Sequence, residues 1–206
     1  MSRRRILAAC LAAIVVPAAL AAQAGAGEAA YSPARKLAIG DAVDVRGTGI
    51  ACFAVVSNKK PSIGCALLGK DGNPRPGTFA VGIAVDGTIV MSRVKADGSS
   101  ATVLKRTPQA AGRAGKVYPA SPGDSFGLPI DTAHIIGCRV IDVLPSQAAK
   151  ALYRGIKVAC WRATETAPVP RSEGVEISDR FAAAFRFDAK GDVAGGILVR
   201  TQPKTS

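Results

Sequence analysis

Histidine occurs once in the 206 residues, at His134, so a metal centre built on several imidazoles has no ligand set and a histidine relay no second member. Aromatic residues make up 5% of the chain, too few for the stacking platform that holds single-stranded nucleic acid, and no specific nucleic-acid partner is expected. Cysteines never stand as a C-x-x-C pair, and no H-E-x-x-H signature or glycine-rich phosphate loop leading into a helix is present. Neither a cofactor nor a metal is therefore expected. Basic residues outnumber acidic ones by 27 to 15. Beyond residue 26, however, no basic run exceeds a pair (Arg35-Lys36, Lys59-Lys60, Lys105-Arg106).

What is present begins with an export signature. Met1-Ser2-Arg3-Arg4-Arg5 is a cationic start, and the apolar run Ile6 to Leu20 follows. That run is shorter than the roughly 20 residues that cross a bilayer. Small residues then offer A-x-A cleavage points at Ala24 or Ala26. Residues 1–26 read as a signal peptide, with a periplasmic or extracellular destination and no transmembrane segment after cleavage. Removing Arg3, Arg4 and Arg5 leaves 24 basic against 15 acidic residues, a net charge of +9. Such a charge favours an anionic envelope component or an acidic protein as partner.

Cys52, Cys65, Cys138 and Cys160 remain in the exported chain. An even count in an oxidising compartment reads as two disulfides, although four cysteines allow three pairings. Cys52–Cys65 and Cys138–Cys160 are expected, because each pair lies on neighbouring apolar segments of one half; each bond would add about 3 kcal/mol. A four-thiolate metal site is the rival. It normally draws on close C-x-x-C pairs, whereas these cysteines are 13 and 22 residues apart.

Short strand signals fill the first half. Ile50 to Val56 is apolar on both faces, and Ile63 to Leu68 carries the second cysteine. Phe79, Val81, Ile83 and Val85 alternate with Ala80, Gly82 and Ala84, which leaves one face small enough for close approach of another backbone. Thr88 to Val94 and Ala101 to Arg106 follow, with Asp71-Gly72, Asp86-Gly87 and Asp97-Gly98 as turns. Thr107 to Pro129, with four prolines and four glycines, reads as a connection.

The second half repeats the first in outline. Cys138 follows Cys52 by 86 residues and Cys160 follows Cys65 by 95, while Asp179, Arg186 and Gly191 each follow Asp86, Arg93 and Gly98 by 93. By this repeat Ser178 to Phe187 is expected as a strand, not a helix. One helix is expected over Pro145 to Arg154, with proline early and Gly155 just beyond its end. The expected fold is all-β: two related antiparallel β units, 27–107 and 129–206, joined by 108–128 and packed as a sandwich or pseudo-symmetric barrel.

Candidate chemistry centres on Gly123-Asp124-Ser125-Phe126-Gly127, preceded by Ser121-Pro122. The stretch resembles the nucleophile loop G-D-S-G-G of chymotrypsin-like serine proteases in four of five positions. The resemblance implies Ser125 as nucleophile, the Ser125 and Gly123 amides as oxyanion donors, His134 as base and Asp131 or Asp142 as its orienter. Phe126 replaces a glycine of that loop, and His134 follows the serine where the family places its histidine before it. As a turn, the same residues need no chemistry. Asp86 and Asp179 hold matched places in the two halves, as an acid–base pair or as turn formers. Trp161, beside Cys160, is expected to pack against or near a disulfide, with a surface ligand-stacking role as the alternative. The function expected is non-enzymatic: an exported binding or envelope-associated module. Its contacts would come from loops and basic hairpins such as 88–106, with Arg93, Lys95, Lys105 and Arg106. The alternative is a secreted serine hydrolase using Ser125 and His134.

Overall fold

The computed structural model describes residues 33–97, 115–144, 154–164 and 167–202. The expected signal peptide (1–26) and the strand expected over 101–106 lie outside these residues. Among the described residues every regular element is a strand, and no helix is long and apolar enough to cross a membrane. The helix expected over 145–154 lies outside the described residues except for Arg154, which leads directly into a strand.

Two sheets carry the fold. The six-stranded sheet is built on β2 (Ala42–Val45), β3 (Ile50–Ser57), β4 (Lys60–Leu67), β5 (Phe79–Ala84) and β6 (Ile89–Arg93). The seven-stranded sheet is built on β8 (Ser125–Pro129), β9 (Ile135–Val143), β10 (Gly155–Ala163), β11 (Glu173–Ser178), β12 (Phe181–Phe187) and β13 (Val193–Thr201). Each run is antiparallel and follows chain order, as a meander does. Two short strands then cross over. β1 (Arg35–Lys36) pairs in parallel with β8, and β7 (Val117–Ala120) pairs in parallel with β2.

These crossings correct two expectations. The sheets are mixed and not purely antiparallel, because each half lends its first strand to the sheet of the other. The stretch read as a connection holds all of β7 and most of β8. Its prolines and glycines punctuate strands too short to show an alternating pattern. Pro119 suits β7, which lies at a sheet edge: Ala42 N–H donates to Lys116 O and Arg46 N–H to Ala120 O, so residues 117 and 119 turn their backbone groups outward. At 119 that outward side has no N–H to offer a further strand.

The disulfides fix the register. Cys52 stands opposite Cys65 and Cys138 opposite Cys160, with Cα atoms 4.0 and 4.1 Å apart. Both bonds form, as the pairing on neighbouring segments implied. In the six-stranded sheet the row through the disulfide reads Val43, Cys52, Cys65, Val81, Met91. In the other sheet it reads Phe126, Cys138, Cys160, Val175, Ala184. Residues from both rows belong to one apolar cluster shared by the two sheets, and Sγ of Cys65 lies 4.0 Å from Sγ of Cys160. At the margin of that cluster, the Arg35 guanidinium on β1 lies 4.2 Å from the centroid of Tyr118 on β7, a cation–π contact between the sheets.

Turn chemistry follows the sequence in part. Gly87 takes φ 87° in the β5–β6 turn, where the Asp86 carboxylate accepts Thr88 N–H. The tightest turn was not marked by Asp-Gly. Ser57 pairs with Lys60, so β3 and β4 are joined by Asn58 and Lys59 alone, at φ 49° and 63°. Two positive-φ residues are what a two-residue type I′ hairpin requires, and a lysine takes that conformation at a cost. Lys59→Gly is expected to raise stability by about 0.5–1 kcal/mol. Urea unfolding checks it, and a neutral or lower midpoint would contradict the assignment.

Candidate functional site

The residues that the protease resemblance singles out do not converge. Ser125 opens β8 opposite Arg139, whereas Pro129 at the other end of β8 pairs with Ile135, next to His134. Four residues of strand, about 13 Å, therefore separate the serine from the histidine. Ser125 Oγ accepts Ala34 N–H at 3.0 Å, which ties the start of β1 to β8. Gly123 N–H donates to Val140 O at 2.8 Å, so this supposed oxyanion donor is already committed to the backbone. Residues 123–127 also fit G-x-S-x-G, but that motif places its serine on a sharp turn from strand to helix. Here Ser125 begins a strand, and the next element is the strand β9.

His134 belongs to the β8–β9 turn. Its Nδ1 lies 3.1 Å from both carboxylate oxygens of Asp131, and Asp131 Oδ1 also accepts the N–H groups of Ala133 and His134. The Ala133 amide is the largest of the effects that hold the Asp131 carboxyl below its usual range. Asp142 pairs with Ile156, beyond Arg139 from the histidine, and cannot orient the ring. The pair serves as a hairpin closure.

Asp86 and Asp179 occupy the β5–β6 and β11–β12 turns. Asp86 pairs with Lys60, and Asp179 lies 3.9 Å from the Nε of its neighbour Arg180. Trp161 adjoins the disulfide in the chain but lies on the opposite face of β10. Neighbouring strand residues point to opposite faces, so Cys160 enters the shared core while Trp161 joins Phe185 and Phe187 in a separate cluster. Its ring meets Phe187 edge-on at 6.1 Å, and Phe187 meets Phe185 at 5.4 Å. The Phe185 ring covers Gly174, where a Cβ would come within 2.3 Å of it. On the same face Lys157 Nζ bonds Glu176 Oε2 at 2.6 Å, with side chains 16% and 12% exposed. Only the strand register, which the sequence does not display, places this ion pair beside the aromatic cluster.

One small depression lies among the described residues. At the β3–β4 hairpin the outer face of the six-stranded sheet has a depression of about 60 Å³, floored by Gly82 and Ala84 and bordered by Ser57, Asn58, Lys60 and Thr88. The small face read from Ala80, Gly82 and Ala84 supplies that floor. It has room for one side group of a larger partner, far below the roughly 300 Å³ at which small-molecule pockets begin. Among the described residues no cluster of three or more His, Cys, Asp or Glu is placed to hold a metal.

Exposed cations are the remaining feature. Of the basic hairpin residues, Arg93 donates from Nε to Gly77 O and Lys95 is exposed, while Lys105 and Arg106 lie outside the described residues. A second group, not singled out by the sequence, lies along the β1/β7 edge. Arg35, Lys36, Arg46 and Lys116 are all exposed there, and none is ion-paired among the described residues. Asp41, beside them, is buried and takes backbone N–H groups of Ala38 and Lys116 on its two oxygens.

Two tests follow. A fluorophosphonate that esterifies activated serines is expected to leave Ser125 unmodified, and a phosphonylated Ser125 peptide would restore the hydrolase reading. The Asp86 carboxyl is held far below its usual range, chiefly by Lys60 and then by Thr88 N–H. Its folded pKa lies below the unfolded value, so its contribution is complete above about pH 4 and is lost as pH falls toward the folded value. Asp86→Asn is expected to make stability less steeply dependent on pH below about pH 4, read by circular dichroism; an unchanged slope would remove the role given to Lys60. In comparison with protein-family models, curated proteins and solved structures, the chain finds no match.

Proposed function

We propose that this chain is an exported, non-enzymatic binding module that associates with an anionic component of the cell envelope. Residues 1–26 act as its signal peptide in this reading, and the destination is periplasmic or extracellular. The two disulfides fit an oxidising compartment. Duplication of one β unit, with the two sheets packed face to face, is part of the proposal. The matched disulfide rows and the reciprocal exchange of β1 and β7 support it.

One observation supports the function: Arg35, Lys36, Arg46 and Lys116 are exposed on or beside the edge strands β1 and β7, and none is ion-paired among the described residues. Lys116 stands level with Asp41 and Arg46 lies just past the Val45–Ala120 pair, five residues of strand or about 16 Å apart; Arg35 reaches Tyr118 between them, and Lys36 follows Arg35 on the other face of β1. Of the nearby acids, Asp41 is buried, Asp44 is half-buried, and Asp124 accepts Ser121 N–H. Charges spaced along an edge suit a repeating anionic partner better than a small ligand. A catalytic reading draws no comparable support, because Ser125, Gly123 and His134 are each engaged in local structure.

The test is uptake onto beads bearing an anionic polysaccharide, with neutral polysaccharide as control. Binding is expected to weaken steadily as salt rises. Replacing Arg35, Lys36, Arg46 and Lys116 together by glutamine should reduce it on the order of tenfold or more, at up to about 1 kcal/mol per cation near an anionic surface. Binding that ignores both salt and the quadruple variant would overturn the proposal.

A further inference from the structure

The four core sulfurs form one contiguous group. Cys52, Cys65, Cys138 and Cys160 are each no more than 1% exposed. Each disulfide closes a hairpin within its own sheet, and the two meet where Cys65 Sγ and Cys160 Sγ stand 4.0 Å apart. Nothing intervenes at that distance, which is close to sulfur–sulfur contact. Thiol–disulfide exchange needs a thiolate to reach a disulfide sulfur, and its rate depends on that access.

We propose that the two disulfides act as one exchange unit, in which two-electron reduction of either bond leads to an inter-sheet Cys65–Cys160 bond. An external dithiol first reduces Cys138–Cys160, and its own two sulfurs end as a disulfide. The Cys160 thiolate then attacks Cys65 Sγ. The Cys52–Cys65 bond breaks, the Cys65–Cys160 bond forms, and Cys52 leaves as thiolate and takes up the proton that Cys160 gave. Beginning at Cys52–Cys65 gives the same product, with Cys65 attacking Cys160 and Cys138 leaving. In both routes one disulfide remains, and Cys52 and Cys138 are the free thiols.

Bond formation brings the two sulfurs about 2 Å closer, to the usual disulfide length. Both side chains gain freedom to rotate toward each other once their hairpin bonds open. The outcome replaces two local staples, spanning 13 and 22 residues, with one link between positions 95 residues apart. Mild reduction would therefore tie the halves of the chain together instead of releasing them. Burial of all four sulfurs restricts the external dithiol, whereas the internal exchange needs no further access.

The experiment treats the intact, folded protein with limiting dithiothreitol, quenches with acid, labels free thiols with a maleimide and maps the peptides by mass. In the species with two labels, the expected pattern is label on Cys52 and Cys138 together with a Cys65–Cys160 linked peptide. That species should be several-fold more abundant than after the same treatment in denaturant, where proximity is lost. Labels paired on Cys52 with Cys65, or on Cys138 with Cys160, at no more than the denatured yield of the cross-linked form, would overturn the proposal. Cys138→Ser supplies a second readout without any reductant. Its free thiol is expected at Cys52, with Cys65 bonded to Cys160; a free thiol that stays on Cys160 in the folded variant counts against exchange.

Discussion

The meeting of Cys65 with Cys160 is the contact on which the rest of the arrangement depends. A cross-strand disulfide requires its two residues to stand directly opposite, so each bond sets the register of its hairpin. Because side chains alternate along a strand, register also decides which face is buried. Val43, Ile50 and Ile63 therefore point into the same cluster as Phe126, Val140 and Val158. A slip of one residue in β10 would turn Trp161 inward and Cys160 out.

The exchange of first strands adds a second constraint. β1 and β7 are short, and each finds its hydrogen bonds in the sheet built mainly by the other half. The chain therefore cannot be divided at its Pro/Gly-rich middle into two self-sufficient pieces, since β2 and β8 would each lose a neighbour. The Arg35–Tyr118 contact draws the same crossing together at the margin of the core. It also leaves the guanidinium near Lys116, two residues before Tyr118 on β7.

Much of this was legible where long-range pairing leaves a local trace. The cysteine pairs, the strands β3 to β6 and the strand nature of Phe181–Phe187 follow from apolar runs and from the repeat offsets. What escaped was of another kind. β1 has two residues and β7 four, lengths at which alternation carries no information, and parallel pairing leaves no turn signal beside it. Asn58-Lys59 hid a type I′ turn because a lysine at positive φ runs against its preference. Trp161 is adjacent to Cys160 in sequence, but adjacency in a strand means opposite faces, so the aromatic cluster that it joins was not legible. Ser125 and His134 looked like partners nine residues apart, and only the hairpin register shows that they sit near opposite ends of β8.

The fate of the acidic side chains bears on function more directly than any motif. Asp71 is held below its usual range chiefly by the Asn73 side chain, Asp131 by Ala133 N–H and Asp188 by Asp192 N–H. In each case the carboxylate is ionised and already bonded to its own turn. A general acid or base needs the opposite environment, one that leaves the group free toward a substrate and its pKa close to the working pH. Turns stabilised in this way consume acidic groups at the hairpin tips. A cation can be held locally only by a carbonyl or a carboxylate, as Gly77 O holds Arg93 and Asp86 holds Lys60. Several cations consequently remain at the surface without an internal partner. The proposed recognition of an anion draws on those exposed bases.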